Sequence, residues 1–184
     1  MRYATLTDLS RHLQIPDAAD DAVLEVALAA AEGQVDAWCR RTFDTVDPDS
    51  DDPTTRTFHF RGTHLDVGDV VAVDTITVEG EEVEGFRLWP DNNLADRRPY
   101  QTVVFDLDVY GKVEVEGWFG WPETPAEVRQ ATVLQAARLA QRRNAQFGVA
   151  SVPGMDGSGM RLLAKLDADV ELLLAPYRNR PVLV

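Results

Sequence analysis

The chain has 184 residues, of which 45% are hydrophobic and 27% are charged, and this composition excludes a disordered chain. Its formal net charge is −13, with 26 acidic and 10 basic residues in 1–126 against 5 and 8 in 127–184, so a tight nucleic-acid binder is not expected. The single cysteine excludes an internal disulfide, no apolar run is long enough to span a bilayer, and no secretory signal opens the chain, so we expect a cytoplasmic protein without membrane contact.

The first forty residues predict two helices. Thr7 is expected to cap a short helix that continues to about Leu13. Further along, apolar side chains recur at the spacing of one helical face, at Leu24, Leu28, Ala31, Val35 and Trp38. Alanines beside this face favour close approach of a second helix.

From residue 56 to residue 118 the pattern changes to short alternating runs. Six runs read as strands: RTFHF, HLDV, VAVDTITV, VEGFRLW, TVVFDLDV and KVEVEGW. Glycine, proline, asparagine and aspartate separate them, as in turns. The segment therefore predicts an antiparallel module of five or six strands with one solvated face.

Two more helices are predicted after this module. An alanine-rich helix over about 126–147 carries Gln135, Arg138 and Arg142 on a polar face, and Asp167 caps a last helix that Pro176 ends. The predicted fold class is α+β, a small helical bundle with an inserted antiparallel β module. We expect the bundle to comprise residues 1–44 and 119–184, and the insertion residues 45–118.

The chain closes on LLLAPYRNRPVLV, an apolar and basic end on an acidic protein. Tyrosine and arginine are enriched at the energetic centres of interfaces, and Val-Leu-Val favours an extended strand without a partner nearby in sequence. We therefore expect a tail that adds to an edge strand or groove of another protein chain. The candidate interface residues are Leu172, Leu173, Tyr177, Arg178, Arg180, Val182, Leu183 and Val184.

Two alternative functions have weaker support in the sequence. His59, His64 and Asp66 offer ligands for a small metal-dependent hydrolase, although outward-facing strand residues explain them better, since no fixed ligand spacing supports a metal site. Trp89 and Trp121 offer an aromatic surface for binding sugar or protein, although the run that contains Trp121 is more typical of a core. No nucleophile and base stand in a catalytic pattern, so neither catalysis nor a cofactor is expected.

Several stretches in order resemble the head–tail connector, or head-completion adaptor, proteins of long-tailed double-stranded DNA phages. They are TLTDLSRHL, LAAAEGQVDAWCRRTF, VEVEGWFGWPETPAEVRQATVLQAARLAQRR, FGVAS and LDADVELLLAPYR, about two thirds of the chain. The resemblance implies a fold of helices with a β insertion, and a structural virion protein rather than an enzyme.

The resemblance also implies an assembly. Such adaptors form a ring, typically of twelve copies, under the portal protein at the head–tail junction of the virion, after assembly in the host cytoplasm. They extend the DNA channel and dock the next tail protein, and the segment from about Arg161 to Val184 reaches the portal or a neighbouring copy. The polar face of Gln135, Arg138 and Arg142 then meets passing DNA transiently or pairs with a neighbour's acidic residues.

Overall fold

A computed structural model of the protein describes residues 3–15, 21–143, 149–150, 160–161 and 166–179. In these ranges four α-helices accompany a five-stranded antiparallel sheet and a small two-stranded one. The elements in chain order are α1 (Leu6–Leu13), α2 (Asp21–Cys39), β1 (Thr54–Val70), β2 (Ala72–Val78), β3 (Glu81–Glu82), β4 (Phe86–Trp89), β5 (Tyr100–Trp118), α3 (Ala126–Arg143), β6 (Val149–Ala150), β7 (Met160–Arg161), α4 (Ala168–Leu174) and a 3-10 turn (Ala175–Tyr177). The predicted α+β class is confirmed.

The chain divides into two compact units. The helical unit comprises Met1–Thr42 and Pro125–Val184, and the β unit comprises Phe43–Thr124. The β unit extends a few residues beyond the predicted insertion on both sides. The rings of Phe43 and Trp121 pack with their centroids 5.0 Å apart, and the backbone of Trp121 bonds to residues 44 and 46, so both flanks join the β unit.

The helical unit has a core of small and aliphatic side chains. α2 and α3 pack against each other, and α1 packs against both. The predicted face of α2 supplies buried residues to this unit, including Leu24, Leu28, Ala31 and Val35. Ala136 and Ala137 of α3 lie in the same core, because alanine lets two helix axes approach closely. None of the described helices is long and apolar enough to cross a bilayer.

The start of α1 differs from the prediction. Thr5, not Thr7, is the N-cap, because an acidic residue three positions later completes a capping box. The backbone N–H of Asp8 donates to Thr5 Oγ1 (3.1 Å), and the backbone N–H of Thr5 donates to Asp8 Oδ2 (3.0 Å). The Thr5 hydroxyl also donates to Asp8 Oδ2 (2.7 Å), and this bond, together with that from the Thr5 backbone N–H, lowers the pKa of Asp8 because both stabilise its carboxylate.

The β unit is organised around β5. β1 pairs with β5 along one side, while β2 and β4 pair with different parts of its other side, and β3 extends the sheet from β2. The six predicted runs form four strands, because β1 and β5 each join two runs, and β3, which no run predicted, is the fifth. Gly62 and Gly111, read as turn residues, lie inside these long strands at positive φ (130° and 113°), which glycine alone adopts without strain.

Irregular pairing bends the β1–β5 ladder. Its register shifts between Gly62 and His64, where three extra residues of β5 bulge out. Arg56 Nη1 donates to the carbonyl of Val67, eleven positions further along the same strand, at 3.2 Å, so β1 turns back on itself. Buried residues from both stretches of the ladder share one core, including Leu65, Val67, Val103, Phe105, Val113 and Val115.

Candidate interaction surfaces

The segment after α4 is held against the helical unit. Tyr177 is buried, and its hydroxyl donates to Glu127 Oε2 at 2.8 Å in the first turn of α3. The sequence marked Tyr177 as an interface anchor, but in the single chain its contacts are internal. Sequence reasoning missed Glu127, because the two residues are fifty positions apart.

The next two residues attach to the end of α2. The backbone N–H of Asn179 donates to the carbonyl of Cys39 at 2.8 Å, which satisfies an otherwise open carbonyl at the helix end. The guanidinium carbon of Arg178 lies 4.9 Å from the ring centroid of Trp38, in cation–π geometry. Residues 177–179 are therefore held against the rest of the helical unit.

Cys39, beneath this contact, is a buried thiol. Burial raises its pKa to about 11, and the nearby Arg41 lowers it only in part. Arg40 and Arg41 follow Cys39 in the sequence and would favour a thiolate, but desolvation outweighs the cationic neighbours. Cys39 is therefore a buried packing residue of the helix, which is the simpler reading of the sequence.

The remaining predicted tail residues fall into two groups. Leu172 is 75% exposed on α4, and Leu173 is half-buried beside it. A leucine this exposed has no packing role within the chain, so it stays a candidate contact residue. Arg180, Val182, Leu183 and Val184 lie outside the described residues.

The three residues predicted to line a polar face of α3 have different surroundings. Gln135 is buried, and its amide Nε2 donates to Gln34 Oε1 of α2, so it joins two helices instead of facing solvent. Arg138 Nη1 lies 3.3 Å from Asp167 Oδ2, the N-cap of α4. The side chain of Arg142 lies outside the described residues. Among the side chains described, α3 thus binds its own unit through Gln135 and Arg138.

The candidate metal ligands lie on the β unit. His59 faces Lys112 across the β1–β5 ladder, whereas His64 pairs with Val104 beyond the bulge. His64 Nδ1 lies 2.8 Å from the neighbouring Thr63 hydroxyl, and Asp66 accepts a hydrogen bond from the backbone of Gly68. Within the described ranges, no three histidine, cysteine or acidic side chains stand close enough to hold a metal ion.

The two candidate tryptophans are not equivalent. Trp121 is buried against Phe43, and its indole N–H donates to Asp69 Oδ2 at 3.1 Å. Trp89, at the end of β4, is 48% exposed. Since one of the pair belongs to the core, the paired aromatic binding surface considered from the sequence does not form.

Charge is divided sharply between the units. The β unit contains 19 acidic and 6 basic residues, a net charge of −13, whereas the rest of the chain contains 12 of each. The charges of −16 and +3 on residues 1–126 and 127–184 thus become −13 and 0 at the structural boundary. The β unit carries the entire net charge of the protein, and its field repels phosphate.

Within this acidic unit, two sheet edges differ in sign. β1 pairs with β5 alone among the described strands, and between Thr54 and Leu65 it holds exposed Arg61 and His59 but no acidic residue. The opposite edge is β3, formed by exposed Glu81 and Glu82. Both edges present backbone hydrogen-bonding groups that another chain can pair.

These two edges end the same row of the sheet. Pairing runs from Thr57 of β1 to Glu114 of β5, on to Thr77 of β2, and finally to Glu82 of β3. The weakly basic edge and the acidic edge therefore terminate one continuous four-stranded row.

A search with the sequence finds no match among protein-family models or among curated proteins. The fold, however, matches a solved structure of the neck of an empty gene transfer agent (GTA) particle, a phage-like particle, computed with C6 symmetry. The match covers 97% of this chain and 90% of the other, with a TM-score of 0.58 and 18% identity. The fold is thus shared with a neck protein over almost its whole length, which agrees with the resemblance to head–tail connectors.

Proposed function

We propose that this chain is a structural protein of the neck of a phage-like particle. This proposal rests mainly on the match to a neck structure, because the matched region of this chain includes both the helical unit and the β unit. A match to one unit would support only a common module. The stretches that resemble head–tail connectors lie at both ends of the chain and support the same role independently.

We propose further that the protein works as a ring. The related neck was solved with C6 symmetry, and a closed ring is the arrangement that such symmetry describes. The ring of twelve implied by the resemblance also contains a six-fold axis. Each copy then needs two unlike surfaces that meet head to tail.

In this proposal the ring is the adaptor between the portal protein and the next tail protein, and it extends the DNA channel. The acidic β unit suits a conduit, because a surface of net charge −13 does not retain phosphates. The C-terminal tail is the docking element. Contacts of Tyr177, Arg178 and Asn179 hold its base on the helical unit, and exposed Leu172 lies nearby in sequence.

Binding to portal-bearing heads tests this function. Purified full-length chain is mixed with heads that lack necks, and co-sedimentation and electron microscopy show whether it forms a ring at the portal vertex. Heads without portal are the control. A chain that binds neither sample, or binds both equally, would refute the proposed function.

A truncation tests the docking tail. Deletion of Pro181–Val184 should leave the thermal unfolding of the chain unchanged and should weaken binding to portal-bearing heads. If the truncated chain loses stability, the tail belongs to the fold of its own subunit and the docking role is wrong.

A further inference from the structure

We propose that neighbouring copies join through their β units, with the β1 edge of one copy pairing with the β3 edge of the next. This inference rests on the proposed ring and names the surfaces that close it. The occupant of each edge is a second copy of this chain. The sheet of one copy would thus continue into the next around the ring.

The backbone supplies the first argument. β1 is seventeen residues long and, within the described part of the chain, pairs with β5 alone; β3 likewise pairs with β2 alone. Long exposed edges are uncommon in monomers, since their free N–H and C=O groups recruit other strands. A partner that forms a strand on β1 would use those groups.

Strand direction supplies the second argument. The row from β1 through β5 and β2 to β3 is antiparallel at every step. With four strands in the row, β3 runs opposite to β1. An identically oriented neighbour therefore presents its β1 antiparallel to β3, so the pattern continues without a reversal. Head-to-tail copies in a ring have nearly this orientation when the rotation between them is small.

Charge supplies the third argument. Exposed Glu81 and Glu82 form β3, and Glu84 follows them, whereas the first twelve residues of β1 contain no acidic residue and expose Arg61. A β1 edge against a β3 edge brings opposite charges together, while two β3 edges repel each other. Such complementarity favours head-to-tail contact over a two-fold dimer.

Charge reversal tests the pairing in the full-length chain. One variant carries Arg61→Glu, and a second carries Glu81→Lys with Glu82→Lys. Self-association is measured by sedimentation velocity in solution and by ring formation on portal-bearing heads. Either variant alone should associate at least about tenfold more weakly than the wild type, because like charges then meet at every contact.

Two combinations should restore association. The triple variant reverses both edges and regains opposite charges. An equal mixture of the two defective variants should also associate, because each contact between alternating copies then joins edges of opposite charge. A ring with an even number of copies can close in this way. Arg87→Glu changes an exposed arginine on β4, which is neither of the two edge strands; it is the matched control and should associate like the wild type.

The outcomes separate this inference from the proposed function. Restored association in the mixture supports the edge pairing. Normal association of both reversed variants, a mixture that stays defective, or no self-association of the wild type in solution and on heads would overturn it. Binding of the wild type to portal-bearing heads is measured separately. Self-association without head binding would therefore contradict the neck function alone, and head binding without self-association would contradict the edge pairing alone.

Discussion

The hydroxyl of Tyr177 offers a sharp test of how the C-terminal segment is held. Tyr177→Phe keeps the buried ring and removes the hydroxyl that donates to Glu127. We expect the helical unit to lose stability, because the carboxylate at the start of α3 then loses this hydrogen bond. The change should leave the β unit untouched.

The size of the effect follows from the contact. A hydrogen bond to a charged group contributes about 1.5–3 kcal/mol, and since this pair is only part-buried, we expect about 1–1.5 kcal/mol. For a chain of this size that loss corresponds to a fall of about 2–6 °C in the unfolding midpoint.

Thermal and urea unfolding, followed by far-ultraviolet circular dichroism at the helix signal, measure this loss. Tyr110→Phe is the matched control, since Tyr110 lies on β5 with its side chain in solvent, and it should not change the midpoint. In a Glu127→Ala background, Tyr177→Phe should cost less than it does in the wild type. Equal midpoints for Tyr177→Phe and the wild type would refute the anchoring role.

Three further predictions concern the packing of both units. The Cys39 thiol, with its pKa raised to about 11, should resist a disulfide reagent at pH 8 in the native chain and react once in denaturant. Thr5→Ala should cost about 1 kcal/mol of folding stability by loss of the N-cap. Because the pKa of Asp8 is lowered on folding, the stability that its carboxylate contributes is present at neutral pH and disappears as the pH falls through that lowered pKa. A pH titration of unfolding in which Asp8→Ala is as stable as the wild type near pH 7 would contradict this contribution. Gly33→Ala should stabilise α2 by about 1 kcal/mol, since the new methyl meets open space. Gly117→Ala should destabilise the β unit, since its Cβ would lie 2.5 Å from a backbone carbonyl of β2. A lower urea midpoint for Gly33→Ala would contradict the first prediction, and an unchanged or higher midpoint for Gly117→Ala would contradict the second.

Much of the fold follows from local patterns. The 3.6-residue spacing of Leu24, Leu28, Ala31 and Val35 predicted the buried face of α2, because helix geometry alone aligns those positions. Alternation predicted strands wherever one side of the sheet is solvated. Local patterns likewise predicted the order of the elements, with helices before and after a β insertion, and the resemblance to connectors depends on that order.

Local patterns failed where a residue's role depends on distant partners. Glycine in a strand and glycine in a turn look alike in sequence, so the pattern predicts a strand end near Gly62 and another near Gly111. In the structure β1 continues through Gly62 and β5 continues through Gly111. The N-cap is different, because the three-residue spacing of Thr5 and Asp8 is that of a capping box and identifies Thr5 instead of Thr7 without any distant partner.

The sequence by itself determined the class of fold, the core face of α2 and the total charge, since these depend on residue type and short-range spacing. Tertiary structure alone decided that Gln135 and Tyr177 turn inward, because their partners Gln34 and Glu127 lie far along the chain. It also placed all of the net charge on one unit and set β1 and β3 at opposite ends of one row. Strand pairing joins segments that are distant in sequence, and for that reason only the folded chain shows which edges remain free.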